Sequence, residues 1–159
     1  MRTLQPTRVI ICFDGKGGSQ RRRKLFPDYK ANRLVRTKLN RTNAFGDKSA
    51  ESENMKMQLG RLVQYLEHLP VQILAPENIE ADDAMAYICK QLLTESKVFI
   101  MSSDKDFIQL VDDRVAVWSP TKKRLYFKDD VFEDYKLPAH NYLLYRTLTG
   151  DKSDNIPGI

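Results

Sequence analysis

The chain has 159 residues, of which 42% are hydrophobic, so it is long enough for one domain with a buried core. The apolar runs are too short to span a bilayer, which argues against a membrane-spanning protein, and the first residues do not resemble a signal peptide. Cys12 and Cys89 lack the spacing of a metal site, so we expect buried free thiols and a reducing, intracellular setting.

The positive charge is concentrated at the front of the chain. The net charge is +5, yet residues 1–41 carry 12 Lys/Arg and 2 Asp/Glu, whereas the remaining residues carry 14 and 19. Arg21, Arg22 and Arg23 are consecutive, and further basic residues follow closely. Scattered surface charges are usually only solvated, but this density favours a polyanion partner such as nucleic acid.

Hydrophobic spacing predicts alternating strands and helices. We predict strands at 8–13, 71–74, 98–101 and 115–118, and a hairpin strand at 123–128. We predict helices at 20–29, ending near Pro27, and at 52–69, 81–93 and 139–148, with a short helix at 105–111. The segment 34–50 is predicted to be polar and mobile, and 149–159 to be a loop. This order predicts the α/β class: a mostly parallel sheet with helices on both faces.

Carboxylates follow the predicted strands. Asp14 comes directly after the first strand, and the others follow later strands or lie in the last loop: Glu80, Asp82, Asp83, Asp104, Asp106, Asp151 and Asp154. Because ligands bind beyond the carboxyl ends of parallel strands, we expect these groups to converge. Within these motifs, Lys105 and Lys152 are the basic residues that we expect to neutralise the carboxylates. The convergence therefore favours hard divalent cations such as Mg²⁺ or Mn²⁺.

Each acidic motif also has a simpler interpretation. Asp and Glu are common in the first turn of a helix, where they cap free N–H groups and complement the helix dipole. Asp104 fits a helix N-cap, and Asp151 fits a turn. One motif alone favours that interpretation, whereas all of them together at successive strand ends favour a metal site.

Five short motifs occur in a recognisable order. They are FDG at 13–15, YKANR at 29–33, EADD at 80–83, SDKDF at 103–107 and GDKSDNIPG at 150–158. Together they resemble the 5′→3′ exonuclease and flap endonuclease family, which includes the 5′ nuclease domain of DNA polymerase I, phage exonucleases and phage RNase H. The resemblance covers nearly the whole chain and implies a PIN-like nuclease core over residues 1–159.

The resemblance assigns roles to residues. It implies that Lys30, Asp14 and Asp104 are catalytic and that Arg21, Arg22, Arg23, Lys30 and Arg33 contact nucleic acid. All eight carboxylates match the family's ligands for two Mg²⁺ or Mn²⁺ ions: Asp14, Glu80, Asp82, Asp83, Asp104, Asp106, Asp151 and Asp154. It also implies that residues 34–50 form an arch over a single-stranded 5′ end.

The implied function is hydrolysis of DNA at 5′ ends or flaps, and of RNA primers in RNA–DNA hybrids, in replication or repair. Implied partners are these nucleic acids and a single-stranded DNA-binding protein or polymerase, in the cytoplasm of a bacterial or phage-infected cell. A PIN-like ribonuclease and a non-catalytic nucleic-acid-binding module are the alternatives.

Two features depart from the family pattern. The family begins with a strand that ends in a further metal-binding Asp, but here no Asp precedes Asp14. The chain also stops where the family continues into a helix–hairpin–helix, with which K⁺ binding is associated. We therefore expect an internal piece of a longer protein that cleaves slowly by itself.

Overall fold

The computed structural model describes residues 4–34 and 48–159. The β-branched run after Arg8 forms strand β1 (Ile10–Cys12), which stops before Asp14 and Gly15. The other strands are β2 (Gln72–Leu74), β3 (Val98–Met101), β4 (Val115–Ser119) and β5 (Arg124–Tyr126). The helices are α1 (Gln20–Leu25), α2 (Lys48–Glu67), α3 (Ala81–Tyr87), α4 (Lys128–Tyr135) and α5 (Tyr142–Thr149), with 3₁₀ turns at Ala31–Leu34, Lys105–Leu110 and Ala139–Asn141.

Within the described residues, the strands hydrogen-bond as two sets. Strand β1 runs parallel to β2, with Ile11 opposite Ile73. Strand β3 runs parallel to β4, which pairs in the antiparallel sense with β5. Helix α3 contacts both β1 and the turn Lys105–Leu110, and so connects the ends of the two sets. The α/β class, the parallel pairs and the hairpin strand predicted from sequence are confirmed.

The buried core lies around the three-stranded set. Val115 and Val117 of β4 are 1% and 2% exposed, and Val131 of α4 and Tyr142 of α5 pack into the same cluster. By contrast, all three residues of β1 are only partly buried. Most apolar area is therefore removed from water on the β3–β5 side of the molecule.

Two helical regions differ from what the sequence predicted. The helix predicted at 81–93 is α-helical only to Tyr87 and continues as a π-helical turn, Ile88–Leu92. The side chain of Arg114 donates to the carbonyl oxygens of Cys89 and Leu93 at 3.0 and 2.6 Å, which satisfies groups that the irregular end leaves free. Helix α4 was not predicted, because its sequence KDDVFEDY offers a single deeply buried residue, Val131.

The predicted arch falls mainly outside the described residues. Of the segment 34–50, residues 35–47 are not described, while residues 48–50 already belong to α2. Cys12 and Cys89 are both free thiols, as expected, but only Cys89 is buried, whereas Cys12 is partly exposed. Among the helices that the structure describes, none is both long and apolar enough to cross a membrane.

Candidate metal centre and phosphate-binding edge

The loop after β1 lies against the segment that precedes α3. The N–H of Gly15 donates to the carbonyl oxygen of Ile79 at 3.0 Å. A Cβ atom on Gly15 would lie 1.7 Å from the carbonyl oxygen of Pro76, so this approach requires glycine. Asp14 is thereby brought to the start of α3, where its Oδ1 accepts from the N–H of Ala81 at 2.8 Å.

Three carboxylates meet at the beginning of α3. Glu80, Asp82 and Asp83 each place an oxygen within 4.8 Å of the others, and they form the metal-type group found in the described part of the chain. Glu80 is 4% exposed, which is unusual for a carboxylate. Hard carboxylate oxygens at this spacing suit a divalent cation such as Mg²⁺ or Mn²⁺. We call these three residues the acidic trio.

Basic and hydroxyl groups surround Glu80. Lys30 Nζ donates to Glu80 Oε1 at 2.6 Å, Tyr29 Oη donates to Oε2 at 3.1 Å, and Arg22 donates to the same Oε2. Burial alone would raise the pKa of Glu80, but the Lys30 hydrogen bond and the charges of Arg22 and Lys30 outweigh it and lower the pKa. Burial dominates at Asp82, whose pKa is raised despite the nearby Arg22.

The last loop docks beside Lys30. Lys30 adopts a left-handed backbone with φ of 57°, and its N–H donates to the carbonyl oxygen of Asp154 at 2.9 Å. Asn32 Nδ2 donates to the carbonyl oxygen of Lys152 at 2.9 Å, and Asn155 Nδ2 donates to that of Asp28 at 3.0 Å. These three hydrogen bonds hold Asp154 next to the segment that carries Lys30.

A second acidic group is held by Arg146 of α5. Its Nε donates to Asp106 Oδ1 at 2.8 Å and its Nη2 donates to Asp151 Oδ2. Burial raises the pKa of Asp106 even though Arg146 opposes it. At Asp151 burial is outweighed by hydrogen bonds from Ser153 and by Arg146, so its pKa is lowered. Asp104 is the N-cap of the turn Lys105–Leu110 and accepts from the N–H of Asp106 at 2.9 Å.

The eight predicted metal ligands therefore lie in subsets. Three form the acidic trio, Asp14 caps α3 beside it, Asp106 and Asp151 share Arg146, and Asp104 caps its own turn. Asp154 lies near Tyr29, whose pKa is raised to about 12 mainly by burial. Asp104 thus does what its simpler interpretation predicted.

The expectation about neutralising charges is wrong. Lys105 and Lys152 are exposed, whereas Arg22, Lys30 and Arg146 pair with the carboxylates. Sequence reasoning missed Arg146; its signal was its position on a helix, five residues before Asp151.

The predicted phosphate contacts also differ from one another. Arg21 and Arg23 are exposed, Arg22 is turned toward the acidic trio, and the side chain of Arg33 lies outside the described residues. The run of three arginines therefore does not act as one surface.

Comparison with known proteins decides the family. Residues 1–136 match the family described as 5′-3′ exonuclease, N-terminal resolvase-like domain. The chain belongs to this family. It is 32% identical over 152 residues to the thermostable DNA polymerase I of Thermus filiformis, covering 95% of this chain and 16% of the polymerase. It is 28% identical over 156 residues to a 5′-3′ exonuclease of Aquifex aeolicus, covering 98% of this chain and 48% of that protein.

Solved structures of the family share the fold. A bacteriophage T5 protein co-crystallised with metal ions superimposes with a TM-score of 0.82 at 25% identity, over 99% of this chain and 57% of that one. A complex of the T5 flap endonuclease with DNA and metal ions gives the same TM-score, identity and coverage. The chain thus spans about half the length of these relatives, and less of the polymerases.

Proposed function

We propose that this chain forms the nuclease core of a structure-specific 5′ nuclease, which hydrolyses phosphodiester bonds at 5′ ends or flaps of DNA with Mg²⁺ or Mn²⁺. The observation that carries the proposal is the acidic trio with the Lys30 ammonium directed into it. Metal-bound and DNA-bound relatives with the same fold support both the ion and the substrate class.

Carboxylate oxygens of both acidic groups would hold two divalent ions. Glu80, Asp82, Asp83 and Asp104 would hold the tighter ion, and Asp106, Asp151 and Asp154 the second, with Asp14 beside the first. Bound there, the ions would activate a water and neutralise charge on the attacked phosphate.

The ammonium group of Lys30 would complete the site. Lys30 would offset the charge that develops on the phosphate, because its ammonium already lies at the carboxylates.

The basic front end would hold the substrate by its backbone. Arg21, Arg23 and Arg33 would contact phosphates, which position DNA without reading its sequence. Substrates in this proposal include RNA primers in RNA–DNA hybrids, and partners include a polymerase or a single-stranded DNA-binding protein. The setting would be the cytoplasm of a bacterial or phage-infected cell, in line with the bacterial and phage relatives.

Cleavage of an end-labelled 5′-flap duplex tests the proposal. With protein in excess and incubation over hours, we expect slow cleavage in Mg²⁺, none in EDTA and none by Asp104→Ala. Flap binding without any cleavage in Mg²⁺ or Mn²⁺ would instead assign a non-catalytic binding module. Preferential cleavage of single-stranded RNA would assign a PIN-like ribonuclease.

A further inference from the structure

Arg22 differs from the basic residues beside it. Helix α1 carries three consecutive arginines followed by Lys24, and Arg21, Arg23 and Lys24 are all exposed. The side chain of Arg22 is 33% exposed because its guanidinium reaches across to α3. It stacks near the ring of Tyr29, with 5.9 Å between Cζ and the ring centroid. Arg22 is therefore the arginine of this run whose side chain lies inside the site.

That place is the centre of the acidic trio. Nη1 and Nη2 of Arg22 donate to the two oxygens of Asp83 at 2.8 Å each. Nη1 also donates to Glu80, and Nη2 lies 3.7 Å from Asp82. The guanidinium thus contacts all three residues whose oxygens lie within 4.8 Å of one another. A divalent ion bound to the trio would need the same oxygens.

The two cations cannot share these oxygens freely. A guanidinium is always protonated, and its donors engage the carboxylate lone pairs that a metal ion would use. The positive charges of the guanidinium and of a metal ion held by the same oxygens would also repel each other. Lys30 already occupies the other oxygen of Glu80, which leaves little room for the metal to bind beside Arg22.

We propose that Arg22 is the resident counter-ion of the acidic trio in the metal-free protein, and that a divalent ion displaces it toward the DNA backbone. The displaced guanidinium would join Arg21 and Arg23 on the exposed side of α1, where it can bind a phosphate in a paired geometry. Metal binding would thereby release one phosphate contact. The release of Arg22 for a phosphate contact rests on the proposed function, whereas its role as counter-ion and its displacement by a metal ion do not.

Metal titration without DNA tests the displacement. Calorimetry with Mn²⁺ compares wild type, Arg22→Gln and Lys24→Ala, which removes the same charge from an exposed position of α1. If Arg22 fills the trio in about nine molecules out of ten, its removal should tighten Mn²⁺ binding roughly tenfold, because apparent affinity scales with the competent fraction. Lys24→Ala should change it by less than about twofold, since solvent screens an exposed charge.

A Mn²⁺ affinity that does not increase in the variant would overturn the displacement. If Arg22 instead holds the carboxylates in position, Arg22→Gln binds Mn²⁺ with equal or weaker affinity. Melting curves without metal show whether the variant folds. Should Arg22→Gln not fold, Arg22→Met gives the same readout, because it removes the charge and the donors and keeps an unbranched side chain: tighter Mn²⁺ binding supports the displacement, and unchanged or weaker binding overturns it.

DNA-binding measurements test whether a bound metal ion frees Arg22 to contact a phosphate. Fluorescence anisotropy of a 5′-flap duplex is measured without metal and with Ca²⁺, an oxygen-binding divalent ion. We expect Arg22→Gln to reduce affinity only when Ca²⁺ is present, since Arg22 is engaged by the trio without it. An equal loss in both conditions would make Arg22 an ordinary phosphate contact. Tighter Mn²⁺ binding by the variant, together with no flap cleavage by wild type, would retain the displacement and reject the nuclease proposal.

Discussion

The two sets of strands divide the molecule into a packed half and a charged half. Around β3, β4 and β5, apolar side chains from α4 and α5 close a core in which Val131 is 0% exposed. Around β1 and β2, the residues of β1 are only partly buried and two of the three in β2 are exposed, whereas Tyr29 and Glu80 at the site are each 4% exposed. Stability is therefore concentrated in one half, whereas most of the contacts that assemble the acidic trio lie in the other.

This division has a physical cost and a use. The charged half holds carboxylates close together, where mutual repulsion opposes folding unless cations neutralise them. In the described residues that role falls to Arg22 and Lys30 on the trio. Arg146 does the same for Asp106 and Asp151 at the edge of the packed half. A half that is weakly packed and strongly charged should respond to a bound cation more than the packed half does.

The largest expected effect is on the packed half. Tyr142 is 1% exposed, and its ring lies 4.9 Å from that of Tyr135. Removing it leaves a cavity, so Tyr142→Ala should lower the free energy of unfolding by about 3–5 kcal/mol in urea denaturation. Tyr65→Ala on α2 is the matched control, because Tyr65 is 73% exposed and should change stability little. Equal losses from the two variants would contradict the division.

The next effect is on the chemistry of the charged half. Lys30→Ala should lower the single-turnover rate of flap cleavage on the order of 10²-fold, since removing one preorganised charge at a transition state costs about 3 kcal/mol. Affinity for the flap duplex should fall by less than about threefold, because the interaction is made mainly in the transition state. Lys24→Ala is the control for lost charge. If rate and affinity fall together, Lys30 is only a phosphate contact.

Metal binding should stabilise the charged half selectively. Mg²⁺ at about 100 times its dissociation constant should add about 2.7 kcal/mol to the free energy of any opening that breaks the trio. Hydrogen exchange should therefore slow at β1 and α3 and change less at β4. Asp83→Asn should reduce the gain. Uniform slowing across both halves would show that they open together.

A smaller effect concerns pH and the packed half. Asp112 accepts from the N–H groups of Arg114 and Val115 at 2.8 Å each and from Lys90 Nζ at 2.6 Å. Burial would raise the pKa of Asp112, but the Lys90 and backbone hydrogen bonds outweigh it and lower the pKa below its ordinary 3.8.

The stability from Asp112 should therefore be present at neutral pH and be lost as pH falls below about 3.8. Asp112→Asn should cost about 1 kcal/mol at pH 7, a value discounted for partial exposure, and should flatten the acid limb of a stability–pH curve. An unchanged acid limb would mean that Asp112 titrates alike in folded and unfolded chains.

Sequence reasoning succeeded where a signal was local. The strand at Val98–Met101 and the extent of α3 as far as Tyr87 follow from short apolar runs and helical spacing. The grouping of Glu80, Asp82 and Asp83 follows from their positions in one helical turn.

What sequence could not supply was the pairing of distant charges. Nothing local distinguishes Arg22 from Arg21, yet one faces the trio and the other faces water. The helix predicted at 52–69 from its hydrophobic spacing overlaps α2 (Lys48–Glu67), but Met55, Leu59 and Leu62 on it are exposed at 38%, 51% and 45%, because periodicity says nothing about what a helix packs against. Packing partners and charge partners are tertiary facts.

The hydrogen bonds between the last loop and the Lys30 segment also bear on the order of folding. Asn32 and Lys152 are separated by 120 positions, and Asn155 and Asp28 by 127. Bringing such distant segments together costs loop-closure entropy, whereas the hairpin of β4 and β5 is local. We expect φ-values near zero at Asn32 and Asn155 and higher values at Val117, so that weakening the loop contacts speeds unfolding with little effect on the folding rate.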